Sequence, residues 1–255
     1  MFGHRISFIK VIGKGGFGTV YLAEIEDRNH FRRRIAVKIL NEQYQEISQA
    51  IARHQDEARL LGMLHHDNIV QVYDLGKINE QPAVFMEYVE GVSLSQLLKQ
   101  ETLPPKIVFE LIADCAGALD AAYNSKNPQT KQPLCVIHRD IKPSNILLSK
   151  SGVVKILDFG IARANFDRES RTQTNQLGTA RYMAPEQWLD NQVSEKVDIY
   201  ALGFTFLEAL HQKLLPRFAL DEQLFSHQQT DLITGLSFPP EIDKKLKNLL
   251  FDMIS

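Results

Sequence analysis

Cysteine is scarce in this chain. Only Cys115 and Cys135 occur in 255 residues, both in apolar sequence settings, so they form no metal pattern and suit a reducing cytosol. An excess of one charge is also missing. The 29 Lys and Arg against 31 Asp and Glu leave a formal net charge of −2, which argues against a nucleic-acid or membrane surface. There is no signal peptide and no long uncharged apolar stretch, so this portion is not expected to span a membrane. Internal repeats and low-complexity segments are absent too. The one basic run, Arg32-Arg33-Arg34, reads as the solvated turn before the apolar strand 35–40.

What is present is concentrated in a short stretch. His138-Arg139-Asp140-Ile141-Lys142-Pro143-Ser144-Asn145 is followed a short strand later by Asp158-Phe159-Gly160. This places a base, a cation and two hard-oxygen metal ligands together. Phosphoryl transfer needs little more, because the migrating group requires no covalent help and the protein's work is positioning and electrostatic stabilisation. An Asp can orient an attacking hydroxyl and a Lys can steady the phosphate. A second carboxylate and an amide oxygen can hold magnesium, which keeps several waters and contacts substrate phosphates.

Other pieces stand upstream. Gly13-Lys14-Gly15-Gly16-Phe17-Gly18-Thr19-Val20 lies between two alternating apolar stretches and reads as strand, turn, strand. Glycines there let a backbone approach phosphates and offer its N–H groups. A dinucleotide fold shares this spacing, but there the third glycine opens a helix and an acid follows about 20 residues on. Here a β-branched pair continues as strand, and Ile35-Ala36-Val37-Lys38-Ile39-Leu40 follows. Lys38 in an apolar strand needs anionic company. The segment 42–64 has helical character, with Ile51, Ala58, Leu61 and Leu64 on an inward face and Glu57 available as partner.

Together these motifs resemble the protein kinases, most closely the prokaryotic serine/threonine branch. The resemblance implies an α+β, bilobal kinase-like fold: a small lobe over 1–86 with an antiparallel sheet and one major helix, a hinge over 87–91, and a mainly helical large lobe over 92–255. It implies ATP and Mg2+, with Mn2+ as a substitute metal, and protein Ser or Thr hydroxyls as acceptors. Asp140 would be the catalytic base and Lys142 the phosphate-contacting cation, with Lys38 paired to Glu57 on the α- and β-phosphates. Asn145 and Asp158 would hold the metal. The nucleotide would be bound by Ile12, Gly13, Gly15, Gly18, Val20, Ala36, Lys38, the gatekeeper Met86, the hinge residues Glu87 and Val89, and Ser93. From its sequence position Ser93 also reads as the N-cap of a short helix.

Residues 165–176 are polar and carry Ser170, Thr172 and Thr174 beside Arg168 and Arg171. The resemblance makes this the activation loop, with Arg139 clamping a phosphate added there. Gly178-Thr179-Ala180-Arg181-Tyr182-Met183-Ala184-Pro185-Glu186 resembles the substrate-docking segment, in which Thr179 would reach towards Asp140 and Lys142. Small-molecule phosphotransferases lack such a segment. Asp198, opening an apolar helix, resembles the buried carboxylate that anchors the catalytic loop. Residues 107–123 read as a long helix and 124–133 as a surface insertion.

The family continues past a helix like 244–254 with an arginine that pairs with the glutamate of Ala-Pro-Glu. Here the last residues hold no Arg, so Glu186 is expected to be exposed or served by another group, and the large lobe to be C-terminally incomplete. The reading is therefore a cytoplasmic kinase portion that associates with itself for autophosphorylation and binds protein substrates and ATP. It takes no nucleic acid and makes no membrane contact from this portion. A membrane anchor beyond residue 255 stays open, as does the alternative of a pseudokinase scaffold or nucleotide-binding regulatory module.

Overall fold

The computed structural model describes residues 5–15, 18–41, 62–159, 180–189, 193–216, 222–238, 240 and 242–254. Glu57, Ser170, Thr172, Thr174 and Thr179 lie outside the described residues, as does nearly all of the expected helix over 42–64. The described residues form two compact units, one running to Glu90 and the other starting at Gly91.

The first unit is an antiparallel sheet of β1 (Arg5–Gly15), β2 (Gly18–Glu26), β3 (Arg32–Leu40), β4 (Val72–Ile78) and β5 (Gln81–Glu87), in the order β1-β2-β3-β5-β4. Side chains alternate across a strand, so each strand has two distinct faces. Ala23, Ile25, Ile35, Val37, Ala83 and Phe85 form a buried cluster, with Ile6, Ile39 and Ile78 packed against it. Gly18 is fixed by a close approach. A Cβ there would lie 2.2 Å from the Ile39 carbonyl oxygen.

The basic run departs from its expected turn. Arg32, Arg33 and Arg34 are exposed residues inside β3, paired in register with Glu26, Ile25 and Glu24. The turn comes earlier, where Asp27 Oδ1 accepts the N–H groups of Asn29 and Phe31 at 2.8 and 2.9 Å. Opposite charge across the strand pair keeps the arginines in the sheet, with Arg32 within 3.6 Å of Glu24 and 3.5 Å of Glu26. The Arg33 guanidinium lies 4.5 Å from the centre of the Tyr73 ring.

The second unit is mainly helical. It contains β6 (Gly91–Ser93), α1 (Leu94–Leu97), α2 (Pro105–Asn124), β7 (Ile146–Ser149), β8 (Val154–Ile156), α3 (Glu186–Leu189), α4 (Lys196–His211), α5 (Glu222–Gly235) and α6 (Lys244–Met253). Strands β6, β7 and β8 form a small antiparallel sheet. Helix α2 buries Val108, Leu111, Ile112, Cys115, Ala118, Leu119 and Ala122, a spacing that lays one apolar stripe inward. Helix α4 is buried almost all round and serves as the centre of the unit. Gly203 on α4 admits α6 closely, because a Cβ there would lie 2.7 Å from Met253 Cβ and 3.0 Å from Ile254 Cγ2. Among the described residues no helix is long and apolar enough to cross a membrane.

The insertion after α2 is an exposed loop closed by a bridge between Lys126 and Pro133. Its Asn127 side chain accepts the N–H groups of Gln129 and Thr130. Cys135, placed in an apolar setting by sequence, is instead exposed. The chain turns there through a positive φ of 50°, with its backbone N–H donated to the Tyr123 carbonyl at 3.0 Å.

Gly203→Ala should destabilise the protein. Overpacking costs about 1–3 kcal/mol, against a helix-propensity gain of roughly 1 kcal/mol, and a lowered thermal midpoint would register the difference. The thiols should also separate in behaviour. Burial, assisted by Asp114, pushes the Cys115 thiol up to about 12. Titration with an aromatic disulfide reagent should therefore count one thiol in the native protein and two in denaturant.

Candidate active site

The second unit carries the residues expected to form the catalytic loop, and their positions follow from one carboxylate. Asp198, in the first turn of α4, is 4% exposed. Its Oδ2 accepts the His138 N–H at 2.6 Å and its Oδ1 the Arg139 N–H at 2.7 Å. Burial pushes its pKa up, opposed by the N–H groups of His138 and Arg139 and by the Arg139 charge. These donors compensate an otherwise costly buried charge.

His138 is fully buried, and its tautomer follows from its partners. Nδ1 faces the Asp140 N–H at 3.2 Å, which can only donate, and Nε2 faces the Leu157 carbonyl at 2.7 Å, which can only accept. The ring is therefore neutral with its proton on Nε2. It also packs against Phe159, with ring centres 4.6 Å apart.

Asp140, Lys142 and Asn145 meet directly. Lys142 Nζ donates to Asp140 Oδ2 at 2.8 Å, and Asn145 Nδ2 donates to the same oxygen at 3.1 Å and to the Asp140 carbonyl at 2.8 Å. The Asn145 amide nitrogen is thus committed to Asp140, which fixes the orientation of its side-chain oxygen. The Asn145 backbone is held on both sides, its N–H by the Lys142 carbonyl and its carbonyl by the Leu157 N–H. Asp158 follows Leu157 with a φ of 54°, and Arg139 has a φ of 63°. Left-handed backbone at residues with a side chain costs energy and collects at functional positions.

In the first unit the register gathers four of the expected nucleotide contacts on one face of the sheet. Val20 pairs with Lys38 and Lys38 with Val84, while Leu22 pairs with Ala36 and Ala36 with Met86. Directly opposed residues share a face, so Val20, Ala36, Lys38 and Met86 stand together, away from the Ile35 and Val37 cluster. Ile12 sits in a register shift of β1 and is 41% exposed. Among the described residues a Cβ at Gly15 would meet nothing within 4 Å, and at Gly13 only Val20 at ordinary contact distance. The described part of the fold therefore does not require glycine at 13 or 15.

Glu87 donates its N–H to the Gln71 carbonyl at 2.9 Å and accepts the Gln71 N–H on Oε2 at 3.2 Å. Val89 makes no backbone–backbone hydrogen bond among the described residues. Ser93, in the second unit, caps α1. Its hydroxyl accepts the Gln96 N–H at 3.2 Å and donates to Gln96 Oε1 at 3.1 Å, so a ligand contact would compete with the cap.

Sequence reasoning missed a second buried acid. Glu208 of α4 is 3% exposed. Its Oε2 accepts the Tyr182 hydroxyl at 2.7 Å and its Oε1 the Leu215 N–H at 3.0 Å, with Arg181 Nη1 3.7 Å from Oε1. The signal was a carboxylate inside the apolar run Phe204-Thr205-Phe206-Leu207-Glu208-Ala209-Leu210. Glu186 is half-buried in the first turn of α3, where helix N-terminal N–H groups favour a carboxylate. Its charge, after burial, pushes the Tyr200 hydroxyl pKa up.

A protein kinase domain family model matches residues 6–255. The chain is 34% identical to a probable serine/threonine-protein kinase PknB of Lactococcus lactis, covering 98% of this chain and 38% of the relative. It is also 34% identical to the serine/threonine-protein kinase PrkC of Bacillus subtilis, again over 98% of this chain and 38% of the relative. The PknI kinase domain of Mycobacterium tuberculosis, solved as a point mutant, has the same fold, with a TM-score of 0.66 at 23% identity over 98% of this chain and 94% of that one. The chain thus spans well under half the length of these two curated relatives. With a bilobal-type sheet unit, a helical unit and the family match over nearly its whole length, the chain belongs to the protein kinase domain family.

Proposed function

We propose that the chain is a protein serine/threonine kinase, transferring the γ-phosphoryl group of ATP to protein Ser and Thr hydroxyls and autophosphorylating at Ser170, Thr172 or Thr174. The observation that carries this is Asp140 Oδ2 receiving both Lys142 Nζ and Asn145 Nδ2 in a loop anchored by Asp198. The named relatives, both called serine/threonine kinases, support the acceptor class.

Glycines 13 and 15 leave backbone N–H groups approachable by phosphates, and Lys38 supplies a cation on the face shared with Val20, Ala36 and Met86. Asp140 orients the acceptor hydroxyl. As its oxygen bonds to the γ-phosphorus, the bond from that phosphorus to the bridging oxygen breaks, ADP keeps the electron pair, and the hydroxyl proton passes to Asp140. Lys142 holds Asp140 and balances charge on the migrating group.

The donor set fits magnesium. Asp158 offers a carboxylate and Asn145 an amide oxygen, both hard ligands, and two protein ligands suit an ion that keeps its waters and substrate phosphates. When bound, the metal neutralises charge on the phosphate oxygens; Mn2+ has the same ligand preference. The kinase portion acts in the cytoplasm, and autophosphorylation brings copies of the chain together.

Incubation with ATP and Mg2+, with phosphosites mapped by mass spectrometry, should place phosphate at 170–174 in the wild type and none in Asp140→Asn, and chelation should abolish transfer. A wild type silent on itself and on casein would overturn the enzyme in favour of a scaffold. Asp198→Asn presents an amide N–H2 to one of the two backbone donors. Since displacement of a catalytic group by about 1 Å can cost on the order of 100-fold, kcat should fall roughly 10- to 100-fold, with KM for ATP little changed in steady-state assays.

A further inference from the structure

The strand pair β4–β5 ends on an incomplete exchange. Val72 pairs with Met86, so the next pair along the two antiparallel strands is Gln71 with Glu87. Residues facing each other in this way across a ladder exchange two backbone hydrogen bonds, each N–H going to the other's carbonyl. Glu87 does donate its N–H to the Gln71 carbonyl, at 2.9 Å. The Gln71 N–H goes instead to the Glu87 side chain, at 3.2 Å from Oε2. A carboxylate has thus taken the donor that a regular ladder would direct to the Glu87 carbonyl.

Three strands hold this arrangement. Glu87 lies opposite Ile35 of β3, and the Gln71 side chain is tied down by its Nε2, which donates to the Val72 carbonyl at 2.9 Å. The register of β4 shifts between Val72 and Asp74, which makes Tyr73 the extra residue of a bulge. Arg33 of β3 covers the ring of Tyr73 at 4.5 Å. Burial and then the Glu87 charge push the Tyr73 hydroxyl pKa up, and the Arg33 charge opposes them. The carboxylate therefore stands in a fixed setting, with a backbone donor on one side and a clamped aromatic ring close by.

On the kinase reading, Glu87 and Val89 meet the purine base through backbone atoms, so the Glu87 carbonyl is an acceptor for an amino group on that base. The Gln71 N–H is the natural competitor for this carbonyl, because strand pairing delivers it to the same residue. We propose that the Glu87 side chain is a positioning group which, by holding the Gln71 N–H, keeps the Glu87 carbonyl directed to the base and so sets the preference for a 6-aminopurine nucleotide. This rests on the kinase reading. A site built to accept a hydrogen bond from its substrate discriminates against an analogue that lacks the donor. Removing the carboxylate lets the ladder close onto the carbonyl, and the discrimination is lost with it.

The test compares wild type, Glu87→Met, Glu87→Ala and Glu87→Gln, with dephosphorylated casein as acceptor and separate titrations of ATP and of purine riboside triphosphate, which lacks the 6-amino group. Met and Ala both lack an acceptor, so a misfolded variant of one leaves the other to measure. Each should raise KM for ATP roughly 5- to 30-fold, the range to which the loss of about 1–2 kcal/mol from one hydrogen bond converts. KM for purine riboside triphosphate should stay within about twofold, because that nucleotide never used the carbonyl. Glu87→Gln, whose amide oxygen still accepts the Gln71 N–H, should recover most of the loss, and KM for casein should stay within about twofold throughout. An unchanged KM for ATP in the acceptor-less variants, or the two nucleotides weakening in parallel, would overturn the proposal and leave the carboxylate merely structural. Glu87→Gln weakening ATP as far as Glu87→Met would overturn it as well. A wild type that phosphorylates no protein with ATP would overturn the kinase reading itself.

Discussion

The buried carboxylate of Asp198 is the constraint from which the rest of the second unit is organised. An ionised group at 4% exposure persists only if donors replace the lost water, and here two consecutive backbone N–H groups do so. The requirement runs both ways. The carboxylate needs the loop at 138–139, and the loop, whose Arg139 adopts left-handed backbone, needs the carboxylate to hold that conformation. Helix α4 can hold it there because it is packed on nearly all its sides, with Gly203 opening room for the chain end at Met253 and Ile254.

The sheet unit works by a different rule. Its two faces are separated by strand periodicity alone. Ile35 and Val37 fill one side, and Ala36 and Lys38 are thereby sent to the other. The register then gathers Val20, Ala36 and Met86 on the face that carries the lysine. The bare backbone at 13 and 15 leaves space where the described residues would tolerate more.

Much of this was legible in the residues, for reasons that differ by element. Alternation found β1 and β2, and the apolar stripe found α2, because burial imposes those periods directly. Asp198 was legible by resemblance, as an acid opening an apolar helix. Glu208 was not, since its partners come from residues 26 and 27 positions earlier and from a backbone N–H seven positions later, which no local pattern encodes. Arg32 to Arg34 misled for the opposite reason. Local charge suggested a turn, but acidic partners across β2 make strand the better place for them. Cys135 likewise has apolar neighbours in sequence and solvent in space, because the backbone turns at that residue.

The imidazole of His138 has a further consequence. One nitrogen gives its proton to Leu157 and the other commits its lone pair to Asp140, so the ring has neither to lend. It works as a dowel rather than a reagent, joining the loop that carries Asp140 to the strand end that leads into Asp158. A histidine beside the reacting groups would ordinarily be the first choice for moving protons near neutral pH. Here its engagement on both sides removes the ring from that duty, and a shift of either joined segment is carried to the other through an aromatic ring that cannot stretch.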